Sequence, residues 1–207
     1  MSATQLDSLL EEELSGETNQ FRAARLTKLK ALKEAGVMPY PSHFRKSHEL
    51  KDVIDTFGYL ENGQETQDEV IVAGRIYSIR NSGMFIDLRD PTHKIQIFSH
   101  KDHCPEQIFQ ILPHLDMGDF IGVKGFVRRT PRGELTINAQ EMIFLGKSLL
   151  PMPEKFHGLA DVEIRYRQRY LDLMVNEEAR DTLRKRSLIT STIRQILTED
   201  GFLEVET

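Results

Sequence analysis

Apolar and polar residues alternate along the middle of the chain in five short runs: Val70–Arg80, Gly83–Arg89, Lys94–Ser99, Asp119–Arg129 and Gly133–Ala139. A period of two belongs to a strand with one buried face, because successive side chains point to opposite sides. Parity therefore sorts residues into inside and outside. Met84, Ile86 and Leu88 share one face, as do Ile95 with Ile97 and Leu135 with Ile137, and these are expected in a core. The opposite face carries Phe85, Asp87 and Arg89, then Gln96 and Phe98, then Glu134, Thr136 and Asn138. The first and fourth runs are longer and marked by Gly74, Gly118, Gly122 and Gly125, which suits strands that bend around a corner. Between the third and fourth runs, Ile108, Ile111 and Leu112 recur at helical spacing within Pro105–His114. The order strand, strand, strand, helix, strand, strand predicts an OB-fold, a five-stranded barrel whose outer face binds oligonucleotides.

The flanks read differently. Met1–Glu17 is polar and acidic, and lacks both the basic start and apolar block of a secretion signal and the Arg-rich make-up of a transit peptide. A loose tail is expected over residues 1–18. From Asn19 to Ala35, Phe21, Leu26, Leu29 and Leu32 form a helical stripe among Arg22, Arg25, Lys28, Lys30 and Lys33, with Gly36 at the stop. The basic face of this helix fits either solvent or RNA phosphates. Pro39, Tyr40 and Pro41 impose extended chain, and Leu50–Leu60 and a polar loop, Glu61–Glu69, complete a connector over 19–69. The barrel is expected over 70–148 and a hinge over 149–175, opened by Pro151 and Pro153. Residues 176–207 then read as a helix and a strand. Asn176 is a candidate cap, Glu177 and Glu178 sit in the first turn, and Leu183, Ile189, Ile193, Ile196 and Leu197 mark a buried stripe. Gly201 ends the helix and Phe202–Val205 reads as the strand.

Composition narrows the function classes. With 39% apolar and 29% charged residues, the 207-residue chain reads as globular and soluble, with room for one full domain and part of another. It holds no apolar run near membrane-spanning length. The net charge of −5 argues against a nucleic-acid binder, but it is uneven: residues 70–145 carry 9 Lys+Arg against 8 Asp+Glu, and residues 1–69 carry 8 against 13. Binding would rest on local placement of arginine. The single Cys104 excludes an internal disulfide and fits a reducing, cytoplasmic compartment. His100, His103 and Cys104 lack a fourth ligand, so no metal is expected. Gly146-Lys147-Ser148 has the look of a phosphate-binding loop, yet Glu141 stands where the upstream glycine is required, so no cofactor site is read here.

The outward face carries the chemistry. A lone outward Phe is ordinary surface, but Phe85 keeps company with an amide, Gln96, and a carboxylate, Glu134. Stacking plane, paired donor and acceptor, and charged acceptor together hold an unstacked base and read its edge. A uracil edge, an imino N–H between two carbonyls, is met by one carboxylate and one amide. Arg75, Arg80, Lys124, Arg128, Arg129 and Arg132 are candidate phosphate contacts, each of which would equally suit a solvated rim.

One run is distinctive. Phe156–Met174 packs Arg165, Arg167 and Arg169 among Asp161, Glu163 and Asp172, with Tyr166, Tyr170, Leu171 and Leu173 to bury. A junction held by ion pairs and an RNA contact both fit this pattern. The run closely resembles the hinge signature HGL-x-D-x-E-x-RYRQRYLDL of bacterial-type lysyl-tRNA synthetases, and the resemblance extends through Gly36–Pro41 and Val72–Ile76 over most of the chain. It implies an anticodon-binding OB-fold barrel followed by the first helix and strand of a class II catalytic domain, α+β overall, in which Phe85 stacks on an anticodon base and Gln96 and Glu134 read uridines. The loop Ser78–Gly83 is shorter than the family's basic loop, which leaves Arg80 as the contact there. The complete enzyme, by the same resemblance, activates lysine with ATP and Mg²⁺, transfers it to tRNA, and dimerises through the region of residues 176–207. The later motifs that clamp ATP do not occur in these residues, so the segment alone is expected to be inactive and to bind no cofactor. A stand-alone single-strand-binding module and an aspartyl or asparaginyl relative are the alternatives.

Overall fold

Two helices, α1 (Gln20–Glu34) and α2 (Leu50–Phe57), lead into β1 (Glu65–Arg80), a strand of 16 residues long enough to serve two neighbours. A short 3₁₀ turn, Asn81–Gly83, leads to β2 (Phe85–Arg89) and β3 (Lys94–Phe98). Helix α3 (Glu106–Ile111), the 3₁₀ turn Leu112–His114, β4 (Phe120–Arg129) and β5 (Leu135–Gly146) complete the first unit. These come from a computed structural model that describes residues 20–102, 104–152, 159 and 161–206. The described residues fall into two units that divide after Pro151.

β1 pairs antiparallel with β4 along its first part and with β2 along its last, and Arg75 is where the partners change, facing Phe120 on one side and Arg89 on the other. β2 runs antiparallel to β3, β3 parallel to β5, and β5 antiparallel to β4, which closes a barrel in the order β1-β2-β3-β5-β4. This is the five-stranded OB-fold arrangement. A parallel neighbour cannot be reached by a tight turn, so α3 and β4 intervene between β3 and β5. The core follows parity: Ile86, Leu88, Ile95, Ile97 and Ile137 are buried together with Val72, Ile121 and Val123, while Leu135 packs at its edge. Met84 is only half-buried because it ends the 3₁₀ turn and does not enter β2. β4 and β5 shift register at Lys124–Gly125, where a Cβ on Gly125 would sit 2.1 Å from the Asn138 carbonyl oxygen. Only glycine lets the two strands pass so close at this bulge.

β1 begins at Glu65, inside the segment read as a polar loop, because Glu65 and Glu69 face β4 across a second irregularity. β5 runs on to Gly146, well past the expected end at Ala139. α1 ends as expected, with Gly36 at φ +77° and the Val37 N–H donated to the Leu32 carbonyl. Its faces are a correction. Leu26, Leu29 and Leu32 point inward, but Phe21 is 65% exposed and Arg25, assigned to the basic face, is 8% exposed. The Arg25 guanidinium donates to the Ser148 and Leu150 carbonyls at 2.7 and 3.0 Å, and Lys28 pairs with Asp116 at 2.6 Å. Both cations are turned toward the domain, which removes them from the face offered to RNA.

Asp90 ties α2 to the barrel. Its carboxylate accepts from the Leu50 N–H at 3.1 Å, at the first turn of α2, and from Thr92 N, Thr92 Oγ1 and His93 N at 2.7 Å each. Burial pushes its pKa upward, but these donors outweigh burial and hold it below the ordinary carboxylate value.

The second unit consists of α4 (Val162–Arg167), α5 (Arg169–Val175) and α6 (Glu177–Glu199). Asp161 caps α4 by accepting from the Ile164 N–H at 3.0 Å. The charges of the distinctive run neutralise one another: buried Asp172 accepts from Arg165 Nε at 2.9 Å and from Arg169 and Asn176, and Arg167 pairs with Glu163. Asn176 stands at the cap position of α6, yet its side chain donates to Asp172 and caps nothing. Two expectations fail here. The stripe Ile189, Ile193, Ile196 and Leu197 lies exposed, and residues 202–205 form no strand, since the described residues of this unit offer no edge to pair with.

Candidate nucleic-acid interface

The outer wall of the barrel is a grid fixed by strand pairing. One row runs Phe85, Phe98, Asn138, Phe126 across β2, β3, β5 and β4. The next row runs Asp87, Gln96, Thr136, Arg128 across the same strands. Phe85 lies diagonal to Gln96 on the adjacent strand, and Gln96 lies diagonal to Glu134, the residue just before β5. Each diagonal step is roughly 8 Å between Cα atoms by strand geometry, a gap that long side chains close. All three predicted residues therefore share one wall, and none of them packs into the core.

Phe85 and Phe98 form a tilted pair with ring centroids 5.2 Å apart, and His100 stacks beyond Phe98 at 6.1 Å. The two half-buried phenylalanines make a broad apolar platform. Gln96, 9% exposed, is anchored from one side: Thr136 Oγ1 lies 3.1 Å from its Oε1 and 3.2 Å from the Glu134 carbonyl oxygen. The one hydroxyl hydrogen is shared between these two acceptors, which sets the amide beside the turn that carries Glu134. That turn is closed by the Thr130 N–H to the Glu134 carbonyl at 2.9 Å and the Glu134 N–H to Thr130 Oγ1 at 3.0 Å. The Glu134 carboxylate is exposed and makes no ion pair among the described residues.

The cations proposed for phosphates have separate fates. Arg80 is exposed, pairs with Asp87 at 2.8 Å and stands 6.0 Å from the Phe85 centroid, at the edge of the wall. Lys124 pairs with Glu69 at 3.0 Å. Arg128 pairs with Glu65 at 3.1 Å and lays its guanidinium 4.4 Å above the Phe98 ring. Arg75 sits outside this wall: it donates to the Gly118 carbonyl at 2.8 Å, covers Phe120 at 4.1 Å, and burial lowers its pKa. Arg129 is committed to the carbonyls of Leu60, Gly133 and Gly58 at 2.6, 2.7 and 3.0 Å. Those three bonds make it a clamp on the turn, with little left for a phosphate. Arg132 is exposed at the turn tip and has no ion pair among the described residues. Parity had already turned Phe98 and Asn138 outward. What no local pattern signals is that β3 and β5 are neighbours, which brings Phe98, Asn138 and Arg128 together.

Cys104 and Lys147, the described side chains that a metal or a nucleotide would call on, are engaged otherwise. Cys104 is buried with its thiol toward the Phe98 carbonyl, burial raises its pKa, and His103 lies outside the described residues. Among the described residues, no three His, Cys, Asp or Glu side chains cluster as metal ligands. Lys147, in the segment resembling a phosphate loop, is buried, its ammonium bound to Asp119 at 2.7 Å, Asp116 at 2.6 Å and the His114 carbonyl at 2.7 Å. Its charge is spent on the segment that leads into β4, so it is not free to meet a phosphate.

A barrel of this topology with an aromatic and amide wall is the architecture of an oligonucleotide-binding module, and residues 70–145 match the OB-fold nucleic acid binding domain family. Residues 161–207 match the class II tRNA synthetases of the D, K and N group. The chain thus joins a region similar to a nucleic-acid-binding domain to one similar to class II synthetases. More closely still, it is homologous to lysine–tRNA ligases: it is 54% identical to that of Sinorhizobium medicae over 94% of this chain, 53% to that of Rhizobium johnstonii over 97%, and 53% to that of Rhizobium leguminosarum bv. trifolii over 95%. It covers 39%, 40% and 39% of those three proteins, so it spans about two-fifths of the length of the curated relatives it matches.

Proposed function

We propose that the outer wall of the barrel reads the anticodon of a lysine tRNA, and that the chain is the N-terminal portion of a lysine–tRNA ligase. One observation carries the reading: Phe85, Gln96 and Glu134, distant in sequence, lie on successive diagonals of a single wall, with the amide held by Thr136. A base stacks on Phe85, the Gln96 amide and the Glu134 carboxylate take its donor and acceptor groups, and Arg80 and Arg132 meet the flanking phosphates.

The complete enzyme activates lysine with ATP and Mg²⁺ and transfers it to the terminal adenosine of the tRNA. The chain spans about two-fifths of its relatives and its synthetase match is confined to residues 161–207, which supports recognition, with aminoacylation left to the complete enzyme. The exposed stripe of α6, with Ile189, Ile193, Ile196 and Leu197, supports a homodimer through this region. No helix of the described residues is long and apolar enough to cross a membrane, and we place the enzyme in the cytoplasm with the rest of translation.

Titration of a lysine-anticodon stem-loop tests the reading. Phe85→Ala is expected to weaken binding by about 1–3 kcal/mol, and unchanged affinity overturns the assignment. Equal affinity for pyrimidine-rich single-stranded DNA would mark a general single-strand binder. Preference for an aspartate or asparagine anticodon would mark a different member of the D, K and N group.

A further inference from the structure

Arg129 ends β4, and its guanidinium serves three backbone carbonyls. Nε donates to Leu60 at 2.6 Å and Nη2 to Gly58 at 3.0 Å, both just past the end of α2, while Nη1 donates to Gly133 at 2.7 Å in the β4–β5 turn. Its own backbone is tied to the same connector: the Gly63 N–H donates to the Arg129 carbonyl at 3.0 Å, and the Arg129 N–H to the Gln64 carbonyl at 2.8 Å. Gly133, at φ +89°, lies so near Asn62 that a Cβ would stand 3.3 Å from its Oδ1. The other end of α2 is held as well, by the Leu50 N–H donating to Asp90 in the β2–β3 turn. Because β3 and β5 are parallel, these two turns share one end of the barrel, and each leads into a strand of the reading wall. Helix α2 is thus an abutment for both.

The residue after Gly133 is Glu134, and it lies beyond the last β4–β5 ladder pair, Arg129 with Leu135. Thr130 accepts from its N–H and donates to its carbonyl, bonds internal to the turn that fix the turn's shape and not its place. The carboxylate is exposed, so where it stands depends on where the turn is set. We propose that Arg129 is a positioning residue for uridine reading: it touches no base, and through Gly133 it sets the Glu134 carboxylate against the Gln96 amide. A planar fork of N–H donors can span three carbonyls, which the compact ammonium of a lysine cannot. A group that reads a base edge needs its support fixed to within about 0.5 Å. With the turn loosened, the carboxylate swings away from the imino N–H of uracil and equally from the ring nitrogen of cytosine that repels it, so selectivity falls more than affinity. This rests on the anticodon reading and deepens it, by placing part of the specificity in a side chain that faces the α2–β1 connector.

The test titrates the full 207-residue chain with two lysine-anticodon stem-loops, one carrying the read uridine and one with cytidine in its place, and takes the ratio of the two Kd values. Arg129→Lys keeps the charge and is expected to reduce that ratio about three- to tenfold, the worth of one hydrogen bond. The reduction should be absent when Glu134→Gln is already in place. A merely structural role lowers the folded fraction, which scales both affinities alike and leaves the ratio unmoved. An unchanged or raised ratio in Arg129→Lys, or a reduction that persists beside Glu134→Gln, overturns the positioning role and leaves the anticodon reading standing. A ratio that Glu134→Gln alone does not move removes both. Should Arg129→Lys fail to fold, Thr130→Val reads the same turn by deleting the hydroxyl that takes the Glu134 N–H: a reduced ratio supports the proposal, and a wild-type ratio overturns it.

Discussion

Thr136 Oγ1 and Gln96 Oε1 stand 3.1 Å apart across the only parallel seam of the barrel, β3 against β5. Forty residues separate them along the chain, and only the crossover through α3 and β4 makes them partners. With its oxygen engaged, the amide of Gln96 has its N–H groups left to donate to a carbonyl. Under the proposed reading, a base offering a carbonyl at that position should bind better than one offering an amino group.

Thr136→Val keeps the shape and removes the hydroxyl. Expected is a loss of about 0.5–1.5 kcal/mol in binding of the lysine-anticodon loop, the net worth of the hydrogen bond that orients Gln96. Discrimination against a loop with cytidine in place of the read uridine should shrink along with it, and isothermal titration of the two loops measures both.

Asp90 joins the β2–β3 turn to the start of α2, and its pKa is held below the ordinary value. Since the folded pKa lies below the unfolded one, the stabilisation is fully present above the unfolded value of about 4 and disappears as pH falls through the folded value. Asp90→Asn should lower stability by about 1–3 kcal/mol at neutral pH. Urea unfolding of both proteins across pH 2–7 should show the gap between them closing toward the acid end.

Lys147 and Asp119 are both buried, and burial pushes the Asp119 carboxyl upward despite the ammonium beside it. Lys147→Met strands that carboxylate with only the Ser148 and Asp116 N–H groups, each at 2.8 Å. Destabilisation of about 3–5 kcal/mol is expected, read by chemical unfolding. A Lys147 variant of unchanged stability would show the ammonium to be free.

Arg132 and Arg129 are three residues apart and predict opposite phenotypes. Arg132→Ala should leave unfolding unchanged and reduce the salt dependence of RNA binding by about one unit of log–log slope. Arg129→Ala removes three carbonyl contacts and should lower the unfolding midpoint, with little change in the salt slope once folded protein is compared.

What a strand shows by itself is which side each residue faces, because alternation is set by covalent geometry within a few residues. Ile86, Leu88, Ile97 and Ile137 inside, with Phe85, Gln96 and Thr136 on the opposite face of their strands, were legible in this way, as was the α1 stop at Gly36. Charge carries no such local signature. Arg25, Arg129 and Lys147 look like any surface cations along the chain, and only long-range packing turned them onto carbonyls and aspartates. The same holds for neighbours: that β3 borders β5, that Gln96 meets Thr136, and that Arg128 lies on Phe98 follows from closure of the barrel. Residues 202–205 make the point in reverse. Their pattern suits a strand, but backbone hydrogen bonds need a partner, and a partner is a property of the assembled structure.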